Sequence, residues 1–150
     1  MMDLNRRQFV AAAAAGCAFC VFRAGGEALA AAPVEVKTGP VKVGNVSEFA
    51  SDGVFDKLAK AEQVVVVREG GKLSACSAIC THKHAILKGV DGQLRCPSHG
   101  SRFNPDGSVV KGPANRPLDH FAITKDSSGM VTVDRSKKVA ADDPSGSVNA

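Results

Sequence analysis

From Val41 to Asp134 the chain reads as short apolar runs closed by Gly, Pro, Asn or Asp, the pattern of strands joined by turns. Val41-Lys42-Val43 alternates and stops at Gly44, and Ser47-Glu48-Phe49 reads as a turn. Within Gln63 to Arg68 stands Val64-Val65-Val66-Val67. An unbroken β-branched run suits a strand covered on both faces. Gly70-Gly71 turns the chain, and Lys72 to Ile79 returns as the partner strand. Asp91-Gly92 sets a hairpin between Val90 and Leu94. Pro105-Asp106-Gly107 turns again, and Pro117 to Thr124 pairs with Met130 to Asp134 about Asp126-Ser127-Ser128-Gly129. Asp56 to Ala61 has room for one helical turn. Residues 136–150 are polar and without period, and are expected to form a flexible tail. The expected class is all-β.

Composition agrees. The chain has 150 residues, enough for one domain. Phe is its only aromatic residue besides His, so the core must be built largely from Val, Ile, Leu and Ala. Fifteen Gly and seven Pro supply the turns. The net charge of +4 is mild and no basic run is clustered, which argues against nucleic acid as a partner.

The N-terminus, residues 1–30, reads as a targeting segment. Asn5-Arg6-Arg7-Gln8-Phe9-Val10 places a twin arginine before an apolar run from Val10 to Phe22, and Ala28-Leu29-Ala30 offers a cleavage site. The run is shorter than the ~20 residues that a membrane span needs. The segment is therefore expected to be removed, leaving no stable membrane span, and the protein to be periplasmic. A retained anchor is the competing reading, and Ala15-Gly16-Cys17 resembles a lipoprotein site only weakly. The twin-arginine route exports folded proteins, often with a cofactor in place.

The chemistry lies between Cys80 and Phe103. Cys80-Thr81-His82 is followed, thirteen residues on, by Cys96-Pro97-Ser98-His99-Gly100-Ser101. Thiolate and imidazole are ligands for iron or zinc, and two such pairs on facing loops can close around one site. Three readings of the four residues follow. They hold an iron–sulfur cluster with two Cys on one iron and two His on the other; they hold one tetrahedral zinc; or the two Cys form a disulfide and leave both His unexplained. Cys-x-His is tighter than the usual zinc-finger pair. Cys76 is the remaining cysteine outside the N-terminal segment, and reads as a packed apolar residue.

From about Val41 to Arg135 the sequence resembles the Rieske family. Val43-Gly44, Gly70-Gly71-Lys72-Leu73, Cys80-Thr81-His82, Cys96-Pro97-Ser98-His99-Gly100-Ser101 and Gly112-Pro113-Ala114 with Pro117-Leu118 stand in family order. The resemblance implies a Rieske domain over residues 33–135, built of stacked antiparallel sheets with a cluster-binding tip. It implies a [2Fe-2S] cluster, with Cys80 and Cys96 on the buried iron and His82 and His99 on the outer one. It makes Ser101 the hydroxyl that bonds a bridging sulfide, and Gly112-Pro113-Ala114 a proline loop over the cluster. Replacing two thiolates by neutral imidazoles places the potential at about −150 to +300 mV, against about −400 mV for plant-type clusters.

Departures narrow the comparison. In the Rieske subunits of quinol–cytochrome c reductases each cluster loop carries a further Cys, where this chain has Ala85 and Ser98. Phe103 stands where arsenite oxidase small subunits commonly have Tyr, and His84 where the family often has Gly. The chain looks nearer to stand-alone Rieske ferredoxins, which are usually cytoplasmic. With no catalytic acid–base constellation, the expectation is an exported one-electron carrier working with redox protein partners. The alternative is the Rieske subunit of a larger periplasmic or membrane-bound oxidoreductase. Lys83, Lys88, Arg102, Lys111 and Arg116 bracket the three loops and suggest a basic docking tip.

Overall fold

A computed structural model describes residues 34–150. The expected signal segment, residues 1–30, lies outside them. Eleven strands are present among the described residues. β1 (Pro40–Asn45), β2 (Gly53–Phe55), β3 (Val64–Glu69), β4 (Lys72–Ser77), β9 (His120–Lys125), β10 (Met130–Val139) and β11 (Ser147–Asn149) make one sheet. β5 (Lys88–Val90), β6 (Gln93–Arg95), β7 (Arg102–Phe103) and β8 (Val109–Lys111) make another. Every pairing is antiparallel. The order in the larger sheet is β1-β10-β9-β4-β3-β2, with β11 added on β4. In the smaller sheet it is β5-β6-β7-β8.

β3 is the strand on which both halves of the core meet. Its four valines are 0, 0, 2 and 3% exposed, so both faces are covered as its sequence requires. Val64 and Val66 join Val43, Phe49, Leu73, Ala75, Ile123 and Val131 on one face. Val65 and Val67 point the other way, into the cluster that holds Cys76, Cys80, Leu87, Leu94, Cys96 and Phe103. The second cluster is the floor of the Cys–His loops. Phe103, which cannot donate a hydrogen bond, is wholly buried there.

The turns follow their residues. Asp91 (φ +52°) and Gly92 (φ +73°) both take left-handed backbone, as a two-residue hairpin of matching twist demands. Ser47 and Glu48 lie in a turn of 3-10 helix, Val46–Glu48. The Asn45 side chain accepts from the Ser47 N–H, and Glu48 Oε1 accepts from the Asn45 N–H at 2.9 Å. The expected helical turn is α1 (Ala59–Glu62), one turn long.

Two features differ from expectation. β2 follows a stretch with no clear period and pairs with β3 as an edge strand. Residues 136–150 are not a loose tail. β10 runs on to Val139 after a break in register between Asp134 and Lys138, and β11 pairs with β4. The reason is an open edge: β4 and β9 share only the Cys76–His120 pairing, so the backbone of Lys72 to Ser74 is free to take β11. At the break, Arg135 donates to the Glu62 carboxylate and carbonyl, both at 2.9 Å, and to the Gly39 carbonyl at 3.0 Å. The polar residues expected to form a tail are tied to the body by strand pairing and by Lys138, whose Nζ donates to the Asp119 carboxylate at 2.8 Å.

Candidate metal centre

β4 leads into Cys80–Ala85, and β6 leads into Cys96–Ser101. Both loops are closed by the same two backbone bonds. The Cys80 N–H donates to the Ala85 carbonyl at 2.8 Å, and the His84 N–H to the Cys80 carbonyl at 2.9 Å. The Cys96 N–H donates to the Ser101 carbonyl at 2.8 Å, and the Gly100 N–H to the Cys96 carbonyl at 3.0 Å. The fourth residue after each Cys takes left-handed backbone, with φ +55° at His84 and +75° at Gly100. Matching frames on neighbouring loops bring the candidate ligands together in pairs, Cys80 with Cys96 and His82 with His99.

The donors stand as two pairs. Cys80 and Cys96 are rooted in the apolar cluster, buried and free. Burial pushes the Cys80 thiol up, and so does the Cys96 thiol beside it; the N–H groups of His82 and Lys83, which point at its sulfur, pull it down. N–H groups aimed at a sulfur are the surroundings a thiolate ligand needs. The rings of His82 and His99 meet edge to face, 5.0 Å between centroids and 86° between planes. His82 is half-buried and His99 exposed. Nδ1 of His82 is shielded from solvent and has no hydrogen-bond partner. A buried nitrogen without a partner is costly unless something else binds it, and a metal supplies that bond.

The arrangement bears on which metal. A single zinc needs four donors about 2.0–2.3 Å from one point. Thiol beside thiol and ring beside ring fit a two-iron core instead, with sulfur ligands at one end and nitrogen ligands at the other.

A third segment, Gly112–Arg116, closes the site. The Ala114 N–H donates to Ser101 Oγ at 3.0 Å, and Thr81 Oγ1 donates to the Arg116 carbonyl at 2.7 Å. Each loop therefore sends one hydroxyl to this segment. Ser101 is fully buried and accepts from Ala114, which leaves its own proton to donate. Thr81 is not singled out by the sequence; its place between the two ligands of the first loop is the signal that could have found it. His84 is exposed and points to no ligand role. Cys76 is packed in the core, and burial pushes its thiol up to about 12.

Comparisons with known proteins identify the family. The Rieske [2Fe-2S] domain matches residues 39–122, more than half of the chain. The cytochrome b6-f complex iron-sulfur subunit of Chlorobaculum tepidum is 35% identical over 74 residues, which is 48% of this chain and 40% of that one. The corresponding subunit of Synechococcus sp. (strain JA-2-3B'a(2-13)) is 30% identical over 112 residues, 71% of this chain and 64% of that one. This chain thus matches less than two thirds of either relative's length. A solved complex of reduced oxygenase and oxidized ferredoxin in carbazole 1,9a-dioxygenase contains a chain with TM-score 0.52 and 26% identity, covering 69% of this chain and 99% of that one. Two antiparallel sheets, paired Cys–His loops of one design, a segment closing over them and a domain match across the span that carries them all point one way: the chain belongs to the Rieske [2Fe-2S] family, with its fold and its cluster.

Proposed function

We propose that the protein transfers single electrons through a Rieske [2Fe-2S] cluster, with Cys80 and Cys96 on one iron and His82 and His99 on the other. The observation that carries this is the buried, unpartnered Nδ1 of His82, held beside the ring of His99 on a loop whose Cys80 thiol neighbours that of Cys96. When bound, the cluster takes up and gives back one electron at a time. The chain's own residues do the rest. Cys80 and Cys96 anchor the inner end in apolar packing that excludes water. The N–H groups of His82 and Lys83 stabilise negative charge on the Cys80 sulfur. Ala114 fixes the oxygen of Ser101, which leaves the hydroxyl proton free to donate to the cluster. His99, exposed at the rim, offers the electron a way out.

The protein acts as an exported, soluble ferredoxin-like carrier in the periplasm, sent there by the twin arginine at Arg6-Arg7. Among the described residues no helix is long and apolar enough to cross a membrane. The second reading is a subunit of a larger oxidoreductase, which its relatives among cytochrome b6-f iron-sulfur subunits favour.

The test is the purified protein itself. Two iron and two sulfide per chain, a coloured oxidised form and an EPR signal on reduction are expected. A colourless protein with one zinc overturns the reading. Size-exclusion of the native exported material then separates a free carrier from a complex subunit.

A further inference from the structure

The smaller sheet carries a row of like charges. Lys88 on β5 pairs with Arg95 on β6, Arg95 with Arg102 on β7, and Arg102 with Lys111 on β8. One cation per strand is directly opposite the next. Their neighbours Leu94 and Phe103 point inward and are fully buried, so the cations occupy the outer face. Among the described residues none of the four joins an ion pair. Asp56, which lies against β5, spends Oδ2 on the Gly89 N–H at 2.8 Å. Like charges opposite one another on a sheet are destabilising. A row kept without counter-ions is a surface suited to an anionic occupant.

The row lies along an open hollow whose wall includes Cys96, Pro97 and Gly100. Four strands at about 4.8 Å spacing put some 14 Å between its ends. That is longer than one phosphate, and fits a strip of carboxylates on a folded surface. Lys83 and Arg116 do not belong to it: Arg116 lines a separate hollow with Asp119 and Lys138.

We propose that Lys88, Arg95, Arg102 and Lys111 form a docking strip for an acidic protein partner, which seats that partner beside the Cys96 loop. The proposal rests on the electron-transfer reading and adds the partner's chemistry and the face it uses. Complementary charge of this kind speeds encounter and fixes orientation, and is screened by salt. Arg95, directly before Cys96, and Arg102 are the two inner members and owe their place to register alone.

The experiment uses the cluster-loaded protein and a labelled oligoglutamate peptide as the probe. Binding at low salt is expected, weakening with added salt. Arg95→Glu/Arg102→Glu should lower the association rate about tenfold or more. Lys42→Glu/Lys72→Glu, an equal charge change on the other sheet, should leave it nearly unchanged. An equal fall in that control, or no fall in the first pair, overturns the strip. Inorganic pyrophosphate binding more tightly than the peptide, and lost in the same pair, reassigns the row to a phosphate ligand and also overturns it. The visible spectrum of each sample separates the two ideas: a wild-type protein with no cluster spectrum sinks the electron-transfer reading whatever the peptide does. Should the double variant fail to fold, the single variants Arg95→Gln and Arg102→Gln carry the test, and each should weaken binding.

Discussion

The two Cys–His loops share a backbone and almost nothing else. Cys80–Ala85 and Cys96–Ser101 close with the same pair of hydrogen bonds and the same left-handed fourth residue after Cys. Yet the imidazole comes two residues after Cys in one and three in the other. The hydroxyl that reaches Gly112–Arg116 follows Cys directly in the first loop, at Thr81, and closes the second, at Ser101. The left-handed position is His84 in one and Gly100 in the other. The frame sets where donors can stand, and the side chains decide what each loop contributes. One imidazole ends half-buried and the other exposed, so the loops differ in how far each candidate ligand reaches toward solvent.

If both loops carry ligands, they must fail alike. Cys80→Ser, His82→Ala, Cys96→Ser and His99→Ala are each expected to abolish the visible spectrum and the bound iron. Cys76→Ser should keep both, because its thiol sits in the core and not in either loop. With a thiol pushed up to about 12, Cys76 should also resist alkylation in the folded protein at pH 8. The thiol stays protonated there, and its thiolate is favoured only in the unfolded chain, so stability should fall as pH rises above about 9. Iron retained in any ligand variant, or lost in Cys76→Ser, breaks the assignment.

The hydroxyls should separate the loops next. Ser101→Ala strands the N–H of Ala114 in a buried place, which costs about 1–3 kcal/mol. The reduction potential should fall as well, because a hydroxyl that can donate inward stabilises the reduced, more negative state. Voltammetry and denaturant midpoints on the loaded protein check both. An unchanged potential would mean that the Ser101 proton points elsewhere.

The left-handed residues give a smaller contrast. A Cβ at Gly100 would meet nothing within 4 Å, so Gly100→Ala carries only backbone strain. The expected loss is about 1–2 kcal/mol. His84 already bears that strain, and His84→Gly should gain a part of it back, offset by the entropy of glycine in the unfolded chain. Equal losses in both variants would show that His84 makes a contact that its backbone angle does not reveal.

Much of the fold and most of the site are legible in the residues themselves. Val64 to Val67, without a polar interruption, signals a strand covered on both faces, and Asp91-Gly92 signals its hairpin. The candidate ligands stand out because few residue types bind metal and their spacing is tight. What escapes depends on register and on free edges. β11 is held by the vacant backbone of β4, which no local pattern of Ser136 to Ala150 reports. The cation row exists because Lys88, Arg95, Arg102 and Lys111 fall opposite one another, and in the sequence they are merely scattered. The tie from Thr81 to Arg116 joins residues 35 positions apart.

That tie supplies the smallest prediction. Thr81→Val keeps the shape of the side chain and removes its hydroxyl, the donor to the Arg116 carbonyl. The hydrogen bond lies at the surface, so water can replace it at the Arg116 carbonyl. The loss should stay near 0.5–1 kcal/mol, about the net worth of one ordinary hydrogen bond. Ser101→Ala also removes one hydroxyl from the same segment, but there the orphaned Ala114 N–H is buried and water cannot reach it. The two variants thus differ in burial more than in chemistry. Denaturant midpoints measured side by side should show the Thr81 loss well below the Ser101 loss, with the spectrum intact in Thr81→Val. Equal losses would mean that the first loop leans on Gly112–Arg116 as heavily as the second does, and that burial is not what divides them.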